Sequence, residues 1–496
     1  MSIKPRFDTY RYVGEVSRLR AQSVVECRLP GSEISSILAV YAQAIPTESA
    51  CLDGEVRYSG RLLLNVVYED GDKKVCRAER GAEFFHKAEG GEVTPSCFAK
   101  TALQTENVNW RREGSGLYVS VVIGADVAVY GNRQMEYLSG GEQLICKKQG
   151  VAVCKTLCVT GETEGEDEFE SDYVGDILMH SERAIAHRVE ARGGAIEIEG
   201  ELALNICVLK RDEGVCSYER IVPFKMQVPC DEAFGKTAAE ARICVKSAHL
   251  TADTDEEKGK SKIVFSYCLS ADCFLYALDE VQVADDAFCK EQVVHLHKER
   301  RVGRHITKMV KCVERVSGEA AVLPALEGEY TLQAAVLPRV EMSVKKNEYG
   351  KAEAEGAVLA EILLCGADGI HRSATLSLPF LFPVDIEGDF IAAECLVCGL
   401  NVRRKRSGET EAEATLKLCL KGYAEGAWEY IDEVREGEKI EETDSGFSVF
   451  IPHVGESKWE LAKRLRCTLE ELEKSNPDLE FPIREGERIY VYRQME

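Results

Sequence analysis

Residues 196–208 read Ile-Glu-Ile-Glu-Gly-Glu-Leu-Ala-Leu-Asn-Ile-Cys-Val. Apolar side chains at 196, 198, 202, 204, 206 and 208 alternate with polar or small ones, and Gly200 fills the remaining apolar-phase slot. A period of two is the pattern of a strand with one face in a core and the other in water. The same phase recurs at Val56, Tyr58, Gly60, Leu62, Leu64, Val66 and Tyr68, and at Ala352, Ala354, Gly356, Val358, Ala360, Ile362 and Leu364. A turn follows each copy (Asp70–Lys74, Lys210–Gly214, Gly366–Gly369), then a second strand reaching Phe84, Phe224 or Phe380, each 24 residues beyond its glycine. Three hairpins in one register form an internal repeat.

Working outward, each hairpin has an extended lead-in. Ile37 and Ile177 stand 23 residues before Gly60 and Gly200, and the third lead-in is three residues shorter, at Val336. A turn at Pro30-Gly31-Ser32 is expected in the first lead-in. A second hairpin follows each first one, turning near 113–116, 255–260 and 407–408. The repeats are thus expected over 1–148, 149–305 and 306–431 as mainly β, β-sandwich-like modules of short strands. The acidic Glu162–Asp172 reads as a solvated loop, and Asp432–Gly446 as an acidic linker.

Beyond residue 446 the period changes. Phe447–Ile451 reads as a strand, Ser457-Lys-Trp-Glu460 and Thr468-Leu-Glu-Glu471 as capping boxes opening two helices, Asn476-Pro477 as a stop, and Gly486–Tyr492 as a closing strand. That is a small α+β unit, strand–helix–helix–strand, over 447–496.

Composition bounds the function. The 496-residue chain suits about three to four domains of roughly 150 residues. A net charge of −23 argues against nucleic acid and anionic membrane as partners. No apolar run approaches a membrane span, and the first residues lack the apolar stretch of a secretory signal, so the protein is expected to stay in the compartment that makes it. In a reducing cytosol its 20 cysteines are expected to remain free thiols.

No nucleophile elbow, phosphate loop, HExxH or dinucleotide fingerprint occurs, and no catalytic residue, cofactor or metal is expected. Cys395-Leu-Val-Cys398 has no second pair at zinc-site spacing and reads as structural thiols. Cys289, His295, His297 and His305 sit beside Lys298, Arg300, Arg301 and Arg304, which oppose a cation. That stretch reads as a solvated basic segment between modules or a local docking patch.

Two resemblances add to this reading. Gly455-Glu-Ser457, Trp459-Glu-Leu-Ala462, Leu469-Glu-Glu-Leu472, Asn476-Pro477 and Glu485-Gly-Glu-Arg-Ile489 resemble a LysM domain, departing at Glu456 and Lys458. Ile34–Tyr68, Val174–Phe224 and Val336–Phe380 resemble SPOCS domains of endospore-forming Firmicutes. Tandem SPOCS modules with a C-terminal LysM are similar to spore-coat assembly proteins. The resemblance implies a non-enzymatic adaptor on the mother-cell side of the forespore surface, with LysM docking onto the coat's basement-layer morphogenetic ATPase and other coat proteins as further partners. Multivalency through the linker would strengthen the attachment. The alternative is a cell-wall or cortex protein binding peptidoglycan or N-acetylglucosamine glycans. Either ligand would use the groove that the LysM likeness places at Gly455, Glu456, Ser457, Lys458, Trp459, Asn476, Pro477, Asp478 and Ile483.

Overall fold

A computed structural model describes residues 3–29, 34–114, 116–210, 214–234, 237–324, 329–405, 409–440 and 446–492. The turns expected at 30–32 and 407–408, and parts of those at 113–116 and 210–214, lie outside these residues, as do 441–445 of the expected linker and the last four residues.

The protein is mainly β. Strands β1 (Lys4–Leu29), β2 (Ile34–Leu52), β3 (Glu55–Asp70), β4 (Val75–Glu89), β5 (Phe98–Glu113) and β6 (Gly116–Glu142) form a first unit of two antiparallel sheets, β2-β3-β4 and β1-β6-β5. Their facing sides close a core containing Val56, Leu62, Leu64, Val119, Val121 and Ile123, all at most 1% exposed. The second unit repeats this with β7 (Ile145–Asp172), β8 (Asp176–Arg192), β9 (Ala195–Leu209), β10 (Val215–Pro229), β11 (Ala238–Asp255) and β12 (Lys260–Phe288), ordered β8-β9-β10 and β7-β12-β11. The third has β13 (Gln292–Glu319), β14 (Ala321–Leu323), β15 (Tyr330–Lys346), β16 (Ala352–Gly366), β17 (His371–Pro383), β18 (Phe390–Arg404) and β19 (Thr410–Lys439). Here β14 adds a fourth strand outside β17.

The recurring Gly–Phe spacing is a cross-strand pair. Gly60 faces Phe84, Gly200 faces Phe224 and Gly356 faces Phe380. In the first two units the Phe ring lies where a glycine Cβ would be. In the third, the backbone of Glu341 and Met342 crowds that space instead.

Several expectations are corrected. The strands are long, up to 30 residues, rather than short. Glu162–Asp172 is not a loop but the end of β7, paired with Lys260–Ser270. Its acids at even positions face outward, and lysines answer them: Lys246–Glu162 at 2.6 Å, Lys262–Glu168 at 2.8 Å and Lys260–Asp172 at 2.9 Å. The inward slots hold Gly161, Thr163, Gly165, Asp167 and Phe169 rather than aliphatics, which hid the alternation; across from Gly165, the Tyr267 ring fills the missing side chain's place.

Gly140-Gly141-Glu142 is ladder in β6, with Gly141 opposite Pro5. The basic stretch 295–304 is likewise no inter-module segment. It lies within β13, which straddles the expected 305/306 boundary, and it faces acids of β19: Arg304–Glu425 at 2.6 Å and His297–Asp432 at 2.7 Å. Asp432–Lys439 therefore continues β19 instead of opening a linker, because Ile431 is fully buried and Val434 packs beside it. The third lead-in is not shorter either. Leu332 faces Leu364 as Ile37 faces Tyr68 and Ile177 faces Val208, and an irregularity between Val336 and Arg339 takes up the difference.

The units also close on one another. β4 touches β8, β10 touches β15 and β17 touches β2, so each unit meets the next and the third returns to the first. Val67, Cys207 and Leu363, each seven residues past its glycine, share one buried cluster with Ala39, Met179 and Ala334 opposite them. The long arms of the three units meet in a second cluster containing Tyr12, Met135, Val153, Val283, Trp428 and Tyr430.

Polar bridges cross the same seams. His371 Nδ1 lies 2.8 Å from Glu69 Oε2 between the third and first units, and the His371 N–H donates to that oxygen at 2.7 Å. Lys100 joins Asp272 at 2.7 Å between the first and second. Between second and third, Lys421 (side chain 5% exposed) donates to Ala241 O at 3.1 Å and pairs with Glu394 at 2.8 Å. Burial opposes its charge, yet Glu394 and Glu240 hold its pKa above the ordinary lysine value.

Candidate functional site

The C-terminal unit comprises β20 (Phe447–Phe450), α1 (Lys458–Leu465), α2 (Leu469–Ser475) and β21 (Ile489–Tyr492), with β20 and β21 antiparallel. Both capping boxes form. Ser457 and Glu460 exchange hydrogen bonds at the start of α1, and Thr468 and Glu471 do so at α2. Leu461, Ala462, Leu465, Leu472, Ile483, Ile489 and Val491 supply its core.

The two loops named for the groove lie side by side. Gly455, at φ +83°, takes a turn that favours glycine, and its N–H donates to Ile483 O at 2.9 Å; the Ile483 N–H returns to Glu456 O at 3.4 Å. Glu456 is committed to structure. Its carboxylate accepts two 2.8 Å bonds from Arg464 and one of 3.1 Å from the His453 N–H, and Arg464 above all holds its pKa low. Asn476 caps α2 and ties it to β21: Nδ2 donates to Leu472 O at 3.0 Å and Tyr490 O at 2.8 Å, while Oδ1 accepts the Tyr490 N–H at 2.7 Å. Ile483 is core, at 2% exposure. Lys458 pairs with Glu473, linking the start of α1 to the end of α2. Gly455, Ser457, Pro477 and Asp478 remain exposed. Of the nine residues, these four and the half-buried Lys458 are what the paired loops present to a ligand.

Trp459 points elsewhere. It is 8% exposed, its ring meets Phe288 edge-on with centroids 5.3 Å apart, and its Nε1–H donates to Asp286 Oδ2 at 2.8 Å. Lys463 Nζ reaches both oxygens of that carboxylate at 2.7 and 2.8 Å, and Lys290 pairs with Glu471 at 2.6 Å. Burial pushes the Asp286 carboxyl up, but Lys463 and Trp459 outweigh it and its pKa lies below the usual aspartate value. The C-terminal unit is thus seated on the end of β12.

Its opposite side is apolar and open. Phe447 and Tyr492 face each other across β20 and β21, as do Val449 and Tyr490, and these four are 49, 64, 48 and 40% exposed. Phe447 stacks on Tyr490 at 6.0 Å.

Elsewhere, a cavity of about 1300 Å3 opens where β2, β8 and β15 converge, with Tyr41, Trp110, Arg183 and Asn205 in its wall. Its charge is mixed, and Arg339 there lies 3.6 Å from Glu361. Burial pushes the Cys395 thiol up to about 12 and Cys398 to about 11, so both are protonated and unreactive at neutral pH. No group of three or more metal-ligating side chains occurs among the described residues.

Sequence reasoning missed the residues that join the units, Glu69, His371, Glu240, Lys421 and Asp286. Lys421 carried a signal, since it directly follows Leu418-Cys419-Leu420, an apolar run with both strand faces buried. No helix among the described residues is long and apolar enough to cross a membrane. No family model matches the chain, and no curated protein matches it.

Proposed function

We propose that the chain is a non-enzymatic scaffold of endospore coat assembly, built from three SPOCS-like modules and a LysM-like module and similar to the clostridial spore-coat assembly protein SipL. In this reading the LysM-like module docks onto the basement-layer morphogenetic ATPase on the mother-cell side of the forespore. The observation that carries it is the order of motifs: three copies of the alternating glycine-centred strand followed by Gly455-Glu-Ser457, Leu469-Glu-Glu-Leu472 and Asn476-Pro477. The seating of the C-terminal unit supports docking. One side is anchored through Trp459 and Lys463, which leaves the loops at Ser457 and Pro477-Asp478 and the aromatic sheet face free for a partner. Apolar and aromatic area of that kind is where protein partners gain most of their affinity.

The test is a pull-down from sporulating-cell extract with the full chain and with a chain ending at Ile440, beside sedimentation with purified peptidoglycan. The expected result is recovery of the ATPase by the full chain, loss of recovery on truncation, and no sedimentation with glycan. Retention on peptidoglycan without a protein partner would overturn the reading in favour of a glycan-binding wall or cortex protein.

A further inference from the structure

The three units bear equivalent edge strands, and one of them is unlike the others. Glu83 faces Arg61 on β4, Pro223 faces Glu201 on β10, and Pro379 faces Ala357 on β17, each opposite the residue that follows a repeat glycine. Proline has no N–H to give to a ladder, so it occupies edge-strand positions whose backbone faces away from the neighbouring strand. The odd-numbered residues of β4 around Glu83 therefore point their N–H and C=O groups outward.

On β10 the outer edge carries Pro223 and Pro229, and Glu219 there accepts the N–H groups of Gly399 and Leu400 from the third unit. On β17 it carries Pro379 and Pro383, and β14 pairs with it through Thr375–Ser377. β4 contains no proline, and among the described residues no strand pairs with its outer edge, though β1 of the facing sheet runs close to β4 and β8 touches it. Such an edge is a template for another strand.

The exposed face of β4 is self-complementary. Its odd positions are Gly81, Glu83, Phe85, Lys87 and Glu89; Phe85 is 79% exposed, and nothing stands where a Gly81 Cβ would be. We propose that two copies of the chain pair edge to edge through β4, antiparallel, with Phe85 on the two-fold axis. Phe85 then faces its counterpart, Glu83 faces Lys87 of the other copy twice, and Gly81 faces Glu89. Centring the pair on Gly81, Glu83 or Lys87 instead sets Glu79 against Glu83, Glu83 against itself or Lys87 against itself. Opposed like charges destabilise a cross-strand pair and opposite ones stabilise it. A second copy is the occupant because this charge order matches its own reverse, and an isologous contact closes at two subunits. The net charge of −23 on each copy opposes association, so added salt strengthens the dimer.

Sedimentation velocity of the full chain over a concentration series, at low and moderate salt, tests the pairing. The expected result is a reversible dimer that tightens with salt. Glu83→Pro introduces the residue that β10 and β17 already carry and should leave a folded monomer, checked by circular dichroism. Glu83→Lys and Lys87→Glu should each weaken the dimer about tenfold, and the double exchange should restore it. A wild-type chain that stays monomeric throughout, a dimer that survives Glu83→Pro, or a double exchange that fails to restore pairing would overturn the proposal. Capture of another protein's strand by a monomeric chain would do so as well.

Discussion

The three-unit body and the C-terminal unit are held by different physics. Within the body, equivalent positions of all three units share buried clusters, and polar bridges such as Glu69–His371 and Lys421–Glu394 seal the seams from inside. The C-terminal unit is seated by one aromatic edge contact and by ion pairs that solvent reaches: Lys463 is 42% and Asp286 24% exposed. Apolar area lost at the first kind of contact is not recovered short of unfolding, whereas the second kind weakens with salt and acid. The body is held by buried apolar clusters, and the C-terminal unit by a smaller contact that solvent reaches.

The largest test of that contrast is Lys421→Met. It strands Glu394 and Glu240 in a buried seam, and denaturant titration should show a loss of about 3–5 kcal/mol. The raised pKa of Lys421 means that its contribution is complete below the lysine's unfolded value and fades only as pH climbs through the higher folded one. At neutral pH that contribution should not vary. Leu202→Ala, at a fully buried position of the middle core, should cost about 2–5 kcal/mol. It should shift a single cooperative transition; separate transitions for the three units would break the picture of one closed body.

Asp286→Asn should weaken the seat of the C-terminal unit by about 1 kcal/mol, since its partners are partly solvated, and leave the body's midpoint unchanged. Hydrogen exchange at α1 against exchange in β12 would measure it. The lowered pKa of Asp286 gives the sign with pH: its contribution to the seat is complete above the unfolded aspartate value of about 3.9 and fades as pH falls through the lower folded one. Lys458→Ala, at a surface ion pair, should change stability by less than about 1 kcal/mol.

The repeat and the C-terminal unit were legible because their signals are local. Period-two alternation around Gly60, Gly200 and Gly356 marks a strand by itself, and two capping boxes mark two helices. The long arms were not. In β7 glycines and polar residues occupy the inward slots beside outward acids, and in β13 and β19 the charged residues satisfy one another across strands, so neither strand alternates clearly on its own. The closure of the three units was invisible for a related reason. Val75 and Val215 hold the position that His371 occupies in the third unit, and nothing in one sequence says that this histidine answers Glu69, 302 residues away. At the candidate groove, the motif placed the two loops together, but not the turning of Trp459 onto Phe288, because that partner lies in another unit.

One feature of the long arms has a mechanical meaning. The chain leaves the body through the 30-residue β19, which pairs with β13 over Glu411–Lys439 and with β18 over Thr410–Tyr423, and the Ile3 N–H donates to Glu436 near its end at 2.7 Å. A tug on the C-terminal unit along the line of β19 loads many backbone hydrogen bonds together in shear, where a tug across it would open them one after another like a zipper. A tether of this kind yields at the seat on β12 long before it yields in the body.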